Sequence, residues 1–252
     1  MDPAARITMT SIGVGAAYCR PGEAQACHLV RTPDAAICLD MGAGAFGLLQ
    51  AQIRPEELDL IVISHLHPDH FIDLLTLRVY MVYGPGAGHR IRVVGPPGLA
   101  AIVAGFGTEG IGTALEFDEL HGDAPDTFLT GDLSVRHRLV PHMAPTYATR
   151  IDVPGAAVCF GADCAPNDDL ASFAGGVDVL VVECTFGDDP IPDGAMHLNA
   201  DAAGHIIRGA GARRAFLTHC FPEWDPQVAA RVAERVAGVP VRAAAPGVAA
   251  VV

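Results

Sequence analysis

Asp59-Leu60-Ile61-Val62-Ile63-Ser64-His65-Leu66-His67-Pro68-Asp69-His70 is the stretch that decides the fold of this chain. Its first half is apolar and β-branched, the pattern of a buried strand. Its second half places three imidazoles and a carboxylate within six residues. Burying such a group is unfavourable unless something pairs with it. A divalent cation does so, and nitrogen with oxygen donors suits Zn2+ or a similar first-row metal. His65 and His67, two apart on an extended stretch, point the same way. Asp69 and His70 follow as the chain turns, so they face a second ion. The run therefore reads as a two-metal site where a strand passes into a helix; the alternative is a solvated histidine-rich loop.

This H-x-H-x-D-H run resembles the signature of the metallo-β-lactamase superfamily. That resemblance implies three further ligands, each in a loop that follows a strand. His142 ends the alternating stretch from Leu133 to Val140 and fits the third histidine of the first metal. Asp163 follows the apolar run Ala156 to Phe160 and fits the bridging carboxylate, and His219 follows Ala215 to Thr218 and fits the last ligand. By resemblance, His65, His67 and His142 hold one metal, Asp69, His70 and His219 the other, and Asp163 bridges them. The cofactor is then a pair of divalent ions, Zn2+ first, with Mn2+ or Fe2+ as alternatives. Asp40, at another strand end, orients the histidine loop rather than binding metal.

The chain has 252 residues, half of them hydrophobic, enough for one large core and a single domain over 1–252. No apolar run reaches the roughly 20 residues that span a bilayer, so no membrane partner is expected. Met1-Asp2-Pro3-Ala4-Ala5 has no basic segment followed by an apolar one, which reads as lacking a signal peptide. Seven cysteines without a C-x-x-C pair read as reduced thiols of a cytoplasmic protein. Cys164 and Cys220 each follow a proposed ligand and read as packing neighbours, with thiol ligation the alternative. The formal charge of −13 repels a polyanion, whereas proteins that grip long nucleic acids present a basic surface. A small-molecule substrate is expected instead, and a homodimer is compatible with the sequence.

Strand-like stretches run over 6–12, 27–32, 35–40, 59–63, 115–120, 127–142, 147–152, 156–160, 177–182, 215–218 and 239–242. Helical ones run over 71–83, 97–106, 200–209 and 226–237. Strands followed by helices, twice over, fit two sheets packed face to face with helices outside. The resemblance implies the same α/β architecture, a four-layer αββα sandwich with metals at the sheet edge. Gly13-Val14-Gly15 and Gly42-Ala43-Gly44 lack a phosphate-loop frame and suit tight turns near that edge. His28, His89, His121, His137 and His205 lack ligand spacing; His137 alternates with Arg136 and Arg138 on a strand, so one face of that strand is polar and solvated. Tyr18, Tyr147, Phe186, Trp224 and the acidic stretch from Gly187 to Asp193 are assigned to loops around the pocket.

Met196-His197-Leu198-Asn199, set before the final ligand, resembles the end of the RNase Z-like group, and Glu183 sits in a segment like that group's glutamate. The resemblance makes Asp69, His197 and Glu183 the catalytic set: Asp69 holds nucleophile and metal, His197 protonates the leaving oxygen, and Glu183 orients His197. Alternatively, His197 only caps the helix starting near Asn199. RNase Z enzymes grip tRNA through a long basic insert between the third histidine and the bridging aspartate. Here twenty residues separate His142 from Asp163, too few for that arm. The expected function is thus hydrolysis of a small phosphodiester or cyclic nucleotide by a metal-bridging hydroxide. The alternative is an acyl hydrolase acting on a lactone, thioester or sulfate ester, and tRNA 3′ processing ranks last.

Overall fold

A computed structural model describes residues 6–122 and 133–252, with the backbone alone of 128–130. Two seven-stranded mixed sheets form the centre of the molecule. In chain order the first sheet takes β1 (Thr8–Gly13), β2 (Cys27–Arg31), β3 (Ala36–Leu39), β4 (Leu60–Val62), β5 (Ile91–Gly95) and β6 (Leu115–Glu119). The second takes β7 (Phe128–Thr130), β8 (Leu133–Val140), β9 (Thr146–Val153), β10 (Ala156–Phe160), β11 (Val179–Glu183), β12 (Arg214–Thr218) and β13 (Val241–Ala243). The last strand, β14 (Ala249–Val251), returns to the first sheet and pairs antiparallel with β1.

Alternation along the strands sorts side chains into layers. Met9, Val30, Ile37, Val62, Val135, Ile151, Val158, Val181 and Phe216 fill the core between the sheets. Leu29, Cys38, Ile61 and Val93, on the opposite face, pack under α1 (Ala45–Leu49), α3 (Leu74–Tyr83) and α4 (Leu99–Ala104). Beyond the second sheet, Leu180, Val182 and Leu217 pack under α5 (Asp168–Phe173), α6 (Ala200–Ala210) and α7 (Pro226–Ala237). The order helix, sheet, sheet, helix is the αββα sandwich expected from the sequence. Local chemistry sets the helix ends. Asn167 and Asn199 accept N-terminal amides of α5 and α6, Asp225 and Pro226 open α7, and Gly211 and Gly238 close α6 and α7 in the left-handed region.

Several local expectations are revised. The single strand over 127–142 is a hairpin of β7 and β8, with 127 and 131–132 outside the described residues. The helix over 71–83 begins earlier and breaks, giving α2 (Pro68–Phe71) and then α3. Strands β5 and β14 and helices α1 and α5 were not anticipated, being too short for periodicity to separate from loop. His137 lies on the buried face of β8, in contact with Thr149, because the pleat turns Arg136 and Arg138 to the other side. Tyr147 is not in a pocket loop: it is buried in β9, and its hydroxyl donates to the Leu120 carbonyl. Among the described residues, no helix is long and apolar enough to cross a membrane.

Candidate metal centre

Every proposed ligand lies just past the end of a strand or in the turn that follows. The end of β4 leads through Ser64 to His65 and His67; His67 stands at the N-terminus of α2, whose first turn carries Asp69 and His70. His142 follows β8, Asp163 follows β10, Glu183 ends β11 and His219 follows β12. Among the described residues only three non-glycines have positive φ: Asp40 (58°), Ala162 (53°) and His219 (57°). All three lie in this centre or next to one of its residues in the chain. Such conformations are unfavourable by about 1–3 kcal/mol each and persist where the surroundings over-determine them.

The side chains converge as two groups around one carboxylate. His65 Nε2 lies 3.0 Å from His67 Nδ1, which lies 3.3 Å from His142 Nε2. On the other side, His70 Nε2 and His219 Nε2 are 3.3 Å apart, and Asp69 Oδ2 sits 3.4 and 3.1 Å from them. Asp163 Oδ2 stands between the groups, 3.9 Å from His65 Nε2, 3.4 Å from His70 Nε2 and 3.3 Å from His219 Nε2. His65, His70, Asp163 and His219 are almost wholly buried, while His67 and His142 are partly open.

The partners on the far side of each ring dictate where the protons are. Ser64 donates its hydroxyl proton to Asp40 Oδ2 (2.8 Å), so its oxygen accepts from His65 Nδ1 (3.0 Å). His70 Nδ1 donates to Asp40 Oδ2 (2.7 Å), and His142 Nδ1 to the Met196 carbonyl (3.0 Å). Thr185 donates to Glu183 Oε2 (2.7 Å) and accepts from His219 Nδ1 (3.0 Å). Four Nε2 lone pairs are thereby turned into the centre, a second layer that orients ligands for a metal.

Lone pairs facing one another repel unless a cation lies between them. Tetrahedral Zn2+ with bonds of roughly 2.0–2.1 Å sets its donors about 3.3 Å apart, which the observed spacings match. The donor set therefore fits two divalent cations. At His70 burial pulls the pKa down, yet the Asp163 and Asp40 carboxylates outweigh it and hold it well above the usual imidazole range, so a cation at its Nε2 would take the place of a proton. Burial lowers His65, His67 and His142, keeping them neutral and able to ligate. Burial pushes the Cys220 thiol up to about 11, and Cys164 well above the ordinary range, so neither is poised as a thiolate ligand. Gly42 completes the frame: a Cβ there would overlap the Asp69 carbonyl, while the next amide inward, Met41 N, donates to the His70 carbonyl.

His197 stands at the edge of this centre, 4.9 Å from His142 between ring centroids. Its Nδ1 donates to Glu183 Oε1 at 2.9 Å. The cap of α6 is Asn199, which accepts from Ala202 N, so His197 does not serve that purpose. Glu183 is more than a partner to His197, since it also accepts from Cys164 N and Thr185 N and thereby joins the loops after β10 and β11. Sequence reasoning missed Ser64, Thr185 and the Met196 carbonyl. The signal was faint: a hydroxyl directly before the first histidine and another two residues after the glutamate. Of the remaining histidines, His28 is buried against Phe160 and feels the charge of His70, while His205 is exposed and paired with Asp201.

Comparison with known proteins follows the same outline. The profile of the beta-lactamase superfamily domain matches residues 37–220. The Mycobacterium tuberculosis (strain H37Rv) protein Rv1339 is 30% identical over 225 residues, spanning 86% of this chain and 82% of its own length. Ribonuclease Z of Mycobacterium avium is 28% identical over 245 residues, with 86% of each chain covered. The crystal structure of the metallo-beta-lactamase fold protein YhfI from Bacillus subtilis superposes with a TM-score of 0.87 at 25% identity, covering 98% of this chain and 99% of that one.

Proposed function

The chain belongs to the β-lactamase superfamily as a metal-dependent hydrolase, and from that premise we propose that it cleaves a small phosphodiester, such as a cyclic nucleotide, with His197 protonating the departing oxygen. The observation that carries this reading is the His197–Glu183 pair, 2.9 Å apart beside seven convergent donors. His65, His67, Asp69, His70, His142, Asp163 and His219 would hold two divalent ions, which would supply a nucleophile from water near neutral pH and stabilise developing charge on phosphoryl oxygen.

The protein's own part is positioning and proton transfer. Burial lowers the His197 pKa, but its hydrogen bond to the Glu183 carboxylate, together with the charge of Glu183, more than offsets that and leaves the pKa raised. Glu183 thus favours the protonated ring, the form that can give a departing alkoxide its proton. A poor leaving group such as a ribose oxygen gains most from that proton. Asp40, Ser64 and Thr185 keep the ligand rings in one orientation, so little reorganisation accompanies the reaction.

Two features favour a small substrate. The residues between His142 and Asp163 are taken up by β9, β10 and short turns, leaving no arm to embrace a tRNA. The net charge of −13 opposes a long polyanion. The test is a panel on metal-replete protein: cyclic AMP, bis-p-nitrophenyl phosphate, an acyl-homoserine lactone and a tRNA precursor. Turnover of the diesters with the lactone and precursor intact supports the reading. Lactone opening without diester cleavage makes the protein an acyl hydrolase, and 3′ trimming of the precursor at physiological salt overturns the size argument.

A further inference from the structure

Three loops that meet at the metal edge bring aromatic rings together. Tyr18, from the β1–β2 connection, stacks on Phe221, two residues past His219, with centroids 5.0 Å apart and planes at 23°. Phe221 meets Phe186, three residues past Glu183, edge-on at 6.3 Å. Phe186 in turn meets the His197 ring edge-on at 6.2 Å. The rings form a continuous wall from the proposed proton donor outward to solvent, where Tyr18 is half exposed.

This wall is held in place by groups that do not belong to the metal centre. The Tyr18 hydroxyl donates to Glu223 at 2.9 Å, and Arg20 Nη2 donates to the Pro222 and Trp224 carbonyls at 3.0 and 2.6 Å. Trp224 closes over Gly187, where a Cβ would come within 2.5 Å of the Trp224 Cβ. Gly187 also has φ +54°, a conformation open to glycine. Loops after β11 and β12 are therefore locked against each other, and the rings are ordered before any ligand arrives. Pre-ordering lowers the entropy lost on binding.

An aromatic wall whose outermost ring, Tyr18, is half exposed, starting at a histidine proposed to serve a phosphate, matches one substrate feature: a flat heteroaromatic ring attached near the phosphorus. Aromatic platforms bind bases by stacking with little regard to hydrogen-bond pattern. Given the reading above as a phosphodiesterase, on which this rests, we infer that Tyr18, Phe221 and Phe186 select phosphodiesters that carry a nucleobase, with the exposed Tyr18 ring as the stacking face and Phe221 stacked behind it. The substrate class narrows to small nucleotides, and diesters of plain alcohols bind without this contribution.

Equilibrium binding isolates the wall from the chemistry. Adenosine 5′-monophosphate and ribose 5-phosphate carry the same phosphate and sugar and differ only in the base. Titrated calorimetrically into metal-replete protein, the first is expected to bind about 10–100-fold more tightly, the usual worth of one stacked base. Tyr18→Ala and Phe221→Ala should each remove about tenfold of that preference, and Phe221→Tyr should restore it. In turnover, the same variants should raise KM for cyclic AMP while kcat moves less than about twofold. Equal affinity of the two ligands for the wild-type protein overturns the inference, as does an equal loss of both in Tyr18→Ala, whose exposed ring the fold does not need. Base-dependent binding without hydrolysis of any diester would leave the wall standing and remove the phosphodiesterase reading instead.

Discussion

His197→Ala separates proton donation from metal binding, and the structure fixes what it removes. The ring's Nδ1 gives its hydrogen bond to Glu183 at 2.9 Å, with the Thr185 hydroxyl oxygen 3.2 Å away, and the Glu183 carboxylate retains Cys164 N at 3.1 Å, Thr185 N at 3.0 Å and the Thr185 hydroxyl at 2.7 Å. The loops after β10 and β11 therefore stay joined, and the variant should fold and keep both metals. What disappears is the proton for the leaving oxygen, about 10²–10⁴-fold in kcat, or about 3–5 kcal/mol of barrier. The loss should be nearly complete for an alkoxide leaving group and should shrink toward unity for p-nitrophenolate, which departs without a proton. Because Glu183 raises the His197 pKa, the acid form persists above the ordinary imidazole range, and activity should fall as pH climbs through that raised value. Glu183→Gln should move this limb to lower pH. It should also destabilise the protein by about 1–3 kcal/mol, since an amide cannot accept from every donor the buried carboxylate now satisfies. Steady-state kinetics on the two leaving-group classes, with metal analysis of each variant, decides the matter. Loss of a metal in His197→Ala would make His197 a ligand, and equal damage to both substrate classes would make it a substrate-binding group.

Acid should destabilise the fold through two histidines buried as neutral rings: burial drives the pKa of His28 to about 3 and that of His137 to about 4. Both lie below the unfolded value of roughly 6.5, so their contribution is whole above that pH and is lost as pH falls toward 4, by about 1.4 kcal/mol per unit for each group. Urea unfolding at pH 7, 6 and 5 should show that slope, and His28→Leu should flatten it by one group's share; an unchanged slope refutes the assignment. Gly42→Ala forces a Cβ onto the Asp69 carbonyl, so a loss of about 3 kcal/mol and easier removal of metal by chelators are expected. Unaltered melting and metal retention in that variant would show that α2 is free to shift.

Much of the candidate site was legible because its chemistry is concentrated in one run, and the resemblance of that run to the metallo-β-lactamase signature pointed to His142, Asp163 and His219 in loops after apolar strands. His65 to His70 needed only the ordinary cost of burying imidazole and carboxylate, and the layered fold followed from strand and helix order. The failures have a common origin. Ile91–Gly95 and Ala249–Val251 are too short for their own periodicity to mark them, and pairing with β4, β6 and β1 makes them strands. Tyr147 was misplaced because only the second sheet's pleat decides which side of β9 is buried. Ser64 and Thr185 were invisible because a hydroxyl has no spacing rule; it becomes functional only where folding sets it between a carboxylate and an imidazole. Thr185 shows this most plainly, reaching Glu183, His197 and His219 at once.

The account rests on a paired cation site, and elemental analysis tests it most directly. Protein purified without chelators should carry close to two transition-metal ions per chain, and His67→Ala should lose at least one together with most activity. Melting temperature should fall when the wild type is stripped, because ions that bind only the folded state stabilise it by mass action. Well-folded, active protein containing no transition metal would contradict the account.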